Sequence, residues 1–140
     1  MTDVFTSRGR TITEADVVAF SALTGDWHPQ HVDADWAARS EFGERIAHGM
    51  LIASFAVGLF EFDPATVLAL RRVREVVFKR PVRLGDTIHV EGTEGERRPV
   101  GPETALATWN WRIVNQDGDL VCRMQIEAVV RIPAAAAEAA

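Results

Sequence analysis

Apolar side chains recur at helical spacing at Ala15, Val18, Ala19, Ala22 and Leu23, which predicts an amphipathic helix from Glu14 to about Leu23. The run Thr13-Glu-Ala-Asp16 supplies its start: the Thr13 hydroxyl can accept from an orphan amide while Asp16 sits in the first turn. Thr24-Gly25 ends it. The next stretch, GDWHPQHVD over 25–33, holds a glycine, a proline and four titratable side chains and reads as a loop. A short helix is expected from Ala34 to about Arg39, followed by a second loop to His48-Gly49. From Met50 to Phe60 the chain is apolar on nearly every side, and its length favours helix over strand despite Gly58. Such a helix has to be covered by other elements.

Beyond it the period changes to two. Ala105, Ala107, Trp109, Trp111 and Ile113 alternate with Thr104, Leu106, Thr108, Asn110 and Arg112; Leu120, Cys122, Met124, Ile126, Ala128 and Val130 alternate with a more polar set. Asn115-Gln-Asp-Gly-Asp119 joins the two as a hairpin. Further strands are predicted at about Val73 to Lys79 and Thr87 to Thr93, separated by Pro81 and Gly85-Asp86, with a first strand near Val4-Phe5. The pattern therefore predicts an α+β arrangement, one antiparallel sheet folded around one buried helix. A single domain over 1–133 is expected, and the alanine-rich tail 134–140 reads as a frayed helix or disorder.

Composition narrows the function classes. Among 140 residues 47% are apolar and 25% charged, an ordinary balance for a chain that buries a core. The net charge of −5 argues against nucleic acid as a partner, because no dominant cationic field is present. The apolar run is well short of the roughly 20 residues that a membrane helix needs. One cysteine, Cys122, cannot form an internal disulfide, and MTDVFTSRGR lacks the apolar core of a secretory signal, so the cytosol is the expected compartment.

The densest polar cluster is Asp26, His28, His31 and Asp33, with His48 just ahead of the apolar helix. A carboxylate and an imidazole five residues apart across a proline-containing turn can converge on one water and perform acid/base work near neutrality. The plainer reading has Asp26 capping a turn and His31 on the surface. Gly49 stands where the apolar helix begins, and a helix N-terminus offers unpaired amides to an oxygen gaining negative charge. It is equally placed to serve as a tight bend.

The stretch GDWHPQHVDADWAARSEFGERIAHGML, residues 25–51, resembles the signature of the MaoC-like dehydratase, or (R)-specific enoyl-CoA hydratase, family. The likeness continues through VREVVFKRPVRLGDTIHVEG, residues 73–92, and spans Thr13 to Pro133. It implies a hot-dog fold that pairs into homodimers and takes an acyl thioester beside its central helix. By the same resemblance Asp26 and His31 hold the catalytic water, and the Gly49 amide binds the thioester carbonyl oxygen. His28, where the family commonly has asparagine, and His48 would support the site. The implied reaction is reversible hydration of trans-2-enoyl thioesters to (3R)-hydroxyacyl thioesters. No cofactor or metal is implied, because coenzyme A or an acyl carrier protein arrives as part of the substrate. A serine found on the central helix of some relatives is Val57 here, and no role passes to it.

Three rivals stand beside this reading. A metal centre could use two histidines and two aspartates, although His28 and His31 match no strong zinc spacing. A hot-dog thioesterase would direct water at the carbonyl carbon instead, and a non-catalytic acyl-thioester binding subunit would keep the pocket without turnover. The basic segment Arg71, Arg72, Arg74, Lys79, Arg80 and Arg83 could meet coenzyme A phosphates or an acidic carrier protein, or form the solvated face of a strand. His89 is read as structural, and Trp27, Trp36, Trp109 and Trp111 as core or interface.

Overall fold

The structure, a computed structural model, describes residues 4–133. The tail 134–140 lies outside the described residues. In chain order the elements are β1 (Val4–Thr6), β2 (Arg10–Thr11), α1 (Glu14–Thr24), α2 (Pro29–Val32), α3 (Ala34–Ala38), α4 (Gly49–Leu59), β3 (Val67–Phe78), β4 (Thr87–Pro99), β5 (Thr104–Val114) and β6 (Leu120–Arg131). The strands form an antiparallel sheet in the order β1-β4-β5-β6-β3, with β2 also pairing to the start of β4. The chain has a hot-dog fold, with α4 lying along one face of this sheet.

The alternation read along β5 and β6 survives in the packing. Ala105, Ala107, Trp109, Trp111 and Ile113 are buried, as are Cys122, Met124, Ile126, Ala128 and Val130 across the ladder. Against them α4 buries Leu51, Ile52, Ala53, Ala56 and Leu59, and each of the large aliphatic chains contributes about 2 kcal/mol in area removed from water. Aromatic packing anchors the end of α4, where Phe60 lies 5.1 Å from Phe5 and 5.0 Å from Trp111 between ring centroids. The opposite side of the helix is open: Met50, Ser54 and Gly58 are exposed.

Three expectations need correction. α1 forms where predicted, with Thr13 and Asp16 closing a reciprocal capping box and Gly25 ending it at φ 83°. Yet the apolar stripe Ala15, Val18, Ala19, Ala22 and Leu23 faces outward, and the buried side is Val17 and Ser21 with Phe20 half-buried. Second, 25–33 is not all loop, since Pro29–Val32 makes one helical turn. Third, β3 starts six residues earlier and β4 runs six residues further than predicted, because pairing with β6 and β5 carries residues 67–72 and the polar end of β4 into the ladder. Of the four tryptophans, Trp109 and Trp111 are core residues and Trp27 and Trp36 lie exposed on this chain. β3 is an edge strand with register shifts along β6, and within it Glu75 adopts φ 53°.

Candidate active site

The loop after α1 is built from its own side chains. Thr24 Oγ1 accepts from the Asp26 amide at 3.2 Å, and Asp26 Oδ1 accepts from the His28 amide at 3.3 Å. His28 Nδ1 in turn accepts from the Gln30 amide at 3.1 Å, which makes His28 the N-cap of α2, with Pro29 at the first helical position. The bare Nδ1 of the imidazole serves here as cap acceptor much as an amide oxygen would. The ring otherwise turns outward, edge-on to Trp36 at 5.4 Å. Asp33 caps α3 through the Trp36 amide.

This turn aims His31 inward. The ring is 3% exposed, and its Nδ1–H donates to the Ile46 carbonyl at 2.7 Å, which leaves Nε2 as the acceptor on the pocket side, with the Gln30 side-chain amide nitrogen 3.4 Å from it. Asp26 Oδ2 stands 3.8 Å from that Nε2 on a carboxylate that is half exposed. The gap is too long for a direct hydrogen bond and suits a shared water. Burial holds the His31 imidazole below the usual histidine range. His48 and His28 add to that effect, while the Ile46 carbonyl and the Asp26 carboxylate oppose it.

His48 is stacked on His31 at 3.7 Å between ring centroids, with Phe20 edge-on behind it. Its Nε2 is 3.2 Å from the Asp26 carbonyl oxygen, which can only accept, so the hydrogen resides on Nε2; Ser21 Oγ lies 2.9 Å from the same nitrogen. His48 thus ties the Asp26 main chain to the helix that it caps. Nδ1 of His48 is buried and has no partner among the described residues.

α4 begins at Gly49 with no side-chain cap, and the His48 carbonyl already accepts from Leu51 and Ile52. Among the described residues the Gly49 and Met50 amides have no acceptor, and both residues line the pocket, so the helix start offers free donors there with the helix dipole behind them. A Cβ at Gly49 would sit 2.9 Å from the Phe78 ring. A cavity of about 370 Å³ brings Asp26, His31, His48, Gly49 and Phe78 together. A second cavity of about 300 Å³ adjoins it, sharing Ile46, Ala47, Gly49 and Phe78 and continuing to Ile52, Val82, Val121 and Cys122.

Asp26, His31 and His48 also present nitrogen and oxygen atoms within 4.8 Å of one another. Imidazole lone pairs lie in the ring plane, and two rings stacked at 3.7 Å with planes 23° apart do not converge on one cation. The arrangement fits proton transfer rather than chelation. Of the residues singled out from the sequence, Asp26, His31, His48 and Gly49 meet in one cavity, and His28 braces the turn from outside it. Ser21, Ile46 and Phe78 were not anticipated. The spacing of Val17, Phe20, Ser21 and Thr24 carried a signal for Ser21, but a serine in a helical stripe is weak beside five apolar residues.

Comparison with known proteins agrees with this geometry. The profile of the MaoC like domain matches residues 2–114. The protein MaoC of Klebsiella aerogenes is 42% identical over 109 residues, covering 74% of this chain and 32% of that protein. The (R)-specific enoyl-CoA hydratase of Aeromonas caviae is 36% identical over 119 residues, 85% of each chain, and the solved structure of an (R)-hydratase from A. caviae involved in PHA biosynthesis superposes at 31% identity with a TM-score of 0.75 over 95% of both chains. A monoamine oxidase regulatory protein from Archaeoglobus superposes with a TM-score of 0.89 at 32% identity, covering 95% of this chain and 91% of that one. The chain spans about a third of the Klebsiella protein and 57% of the Rhodospirillum rubrum hydratase. With the hot-dog fold, the Asp26–His31 pair and the His48-Gly49 helix start in place, the chain belongs to the MaoC-like domain family.

Proposed function

We propose that this protein is a hydro-lyase that adds water reversibly to trans-2-enoyl thioesters, giving (3R)-hydroxyacyl thioesters. The observation that carries this reading is the 3.8 Å gap between Asp26 Oδ2 and His31 Nε2 beside the free amide of Gly49. A water in the gap gives a proton to Nε2, the one ring nitrogen not committed to a carbonyl, while the Asp26 carboxylate accepts its other hydrogen and orients it. Its oxygen bonds to the β-carbon as the C=C π electrons move toward the carbonyl, and the Gly49 N–H stabilises the resulting enolate oxygen. The proton on Nε2 then passes to the α-carbon, which restores the thioester and the neutral imidazole. The (3R) outcome is carried over from the Aeromonas relative, named as (R)-specific.

The thioester carrier, coenzyme A or an acyl carrier protein, comes and goes with the substrate, and the scheme calls on no resident cofactor or metal. A cytosolic location is part of the reading. No helix among the described residues is long and apolar enough to cross a membrane. We also infer a homodimer built on β3, an edge strand that exposes Leu68, Leu70, Val73 and Phe78. Light scattering tests it: a dimer is expected for the parent and a monomer for Leu70→Glu, and a monomeric parent removes the inference.

Incubation with crotonyl-CoA tests the reaction. Enoyl absorbance is expected to fall without release of thiol, and Asp26→Asn and His31→Ala are expected to lower kcat by about two orders of magnitude or more. Thiol release without hydration would make the protein a thioesterase, and binding without turnover would make it a carrier subunit.

A further inference from the structure

Gln30 stands at the nitrogen that takes the proton, and none of the chemistry above uses it. Its main chain is held on both sides: the amide donates to His28 Nδ1, and the carbonyl accepts from the Ile46 amide at 3.0 Å. Ile46 is also the residue whose carbonyl takes the His31 Nδ1–H, so one residue of a distant loop fixes two neighbours of α2. The Gln30 side chain is half-buried and lines the cavity of Asp26 and His31, with its amide nitrogen 3.4 Å from His31 Nε2. Because Nδ1 carries the ring hydrogen, Nε2 can only accept, and the carboxamide faces it with its NH2 end. That carboxamide has no other hydrogen-bond partner among the described residues.

The Gln30 nitrogen at 3.4 Å and Asp26 Oδ2 at 3.8 Å both lie beyond a good hydrogen bond from Nε2, and both come within reach of a water bound to that nitrogen. Gln30 also borders another cleft, of about 620 Å³ and walled by His28, Trp36 and Phe42, so its side chain has room to draw back as the water enters. A water has two hydrogens and two lone pairs. In the hydratase reading, on which this step rests, its hydrogens go to Nε2 and Asp26. These two partners alone leave the oxygen with two equivalent lone pairs, of which only one can point at the β-carbon. A donor at the oxygen occupies the other. We propose that Gln30 is a third partner of the attacking water, donating its side-chain N–H to the water oxygen and so fixing which lone pair forms the new bond. The step itself is unchanged: the oxygen joins the β-carbon, the π electrons move to the carbonyl oxygen and the proton leaves for Nε2, with Gln30 neutral throughout.

Gln30→Met tests this, since it keeps the length of the side chain and every main-chain bond while deleting the donor. On crotonyl-CoA its kcat is expected to fall about tenfold with KM within about twofold of the parent, because the loss is felt by the water and not by the thioester. Gln30→Glu keeps the shape but offers the oxygen no donor, so it is expected to lose at least as much, including at about pH 9, where the His31 ring is neutral. A purely structural role would survive in Gln30→Glu. Independently of turnover, NMR titration is expected to show the His31 ring of Gln30→Met taking up its proton at higher pH than the parent ring, because no N–H then opposes protonation of Nε2. Asp26, His28 and His48, the titratable groups around that ring, are the same in both. Parental kcat in Gln30→Met overturns the proposal; so does retained activity in Gln30→Glu, or a His31 titration that does not move. Should Gln30→Met fail to fold, as thermal unfolding would show, Gln30→Glu at about pH 9 decides alone. A parent that hydrates no enoyl thioester sinks the hydratase reading itself, whereas an active parent matched by Gln30→Met sinks only the role of Gln30.

Discussion

The two halves of the proposed acid/base pair live in opposite surroundings. His31 is 3% exposed, bonded to Ile46 on one edge and covered by His48 on one face, whereas the Asp26 side chain is half in solvent and its carboxylate is held mainly by the His28 amide. The first is a fixed acceptor whose tautomer and direction are set by the fold. The second is a hydrated group that can admit and orient a water without paying for its own burial. A site that must bind solvent and still direct it gains from this division, since a fully buried pair would exclude the reactant and a fully exposed one would not aim it.

Substitutions at the two residues should separate these roles. His31→Ala is expected to abolish most turnover and to lower unfolding free energy by about 1–3 kcal/mol, because the Ile46 carbonyl loses its partner. Asp26→Asn is expected to match it in lost turnover while staying within about 0.5 kcal/mol of the parent in urea unfolding. Equal destabilisation by both would erase the contrast. Next in size, Ser21→Ala is expected to cost about 1 kcal/mol, by leaving the His48 ring with the Asp26 carbonyl alone; thermal unfolding reads it.

The pH dependence sharpens the same point. Because burial lowers the His31 pKa, the unfolded chain takes up a proton near pH 6.5 that the folded ring still refuses. Stability is then expected to fall as pH drops below about 6.5, and His31→Gln to flatten that fall. The acid limb of kcat/KM should lie below the ordinary histidine value for the same reason. The smallest effect is expected at His28→Asn, which keeps a cap acceptor for the Gln30 amide: stability should stay within about 0.5 kcal/mol, with turnover retained. An inactive but folded His28→Asn would bring this outward-turned ring into the chemistry.

Much of this site was legible in the linear order of residues. The meeting of Asp26, His31 and Gly49 in one cavity follows from local features: a turn, a five-residue spacing and a helix start. The β5–β6 hairpin was equally local, with Gly118 at φ 79° closing Asn115–Asp119. What escaped depends on distant partners. The buried side of α1 was chosen by a polar contact, Ser21 to His48 across 27 residues, against a more apolar stripe that stays outside. The start of β3, Val-Leu-Ala-Leu over 67–70, runs into Arg71 and Arg72 without alternation, and only pairing with β6 makes the segment a strand. Phe78 could be placed at the site only once the sheet set it beside Gly49.

Cys122 has a practical consequence. Its sulfhydryl is fully buried and burial pushes its pKa up to about 11, so scarcely any thiolate exists at neutral pH in the native protein. As the one cysteine of the chain, it becomes a built-in clock: a maleimide or disulfide reagent should label it only as fast as the β6 strand opens. Labelling rates then read the opening of the sheet directly, with no reporter group to be engineered.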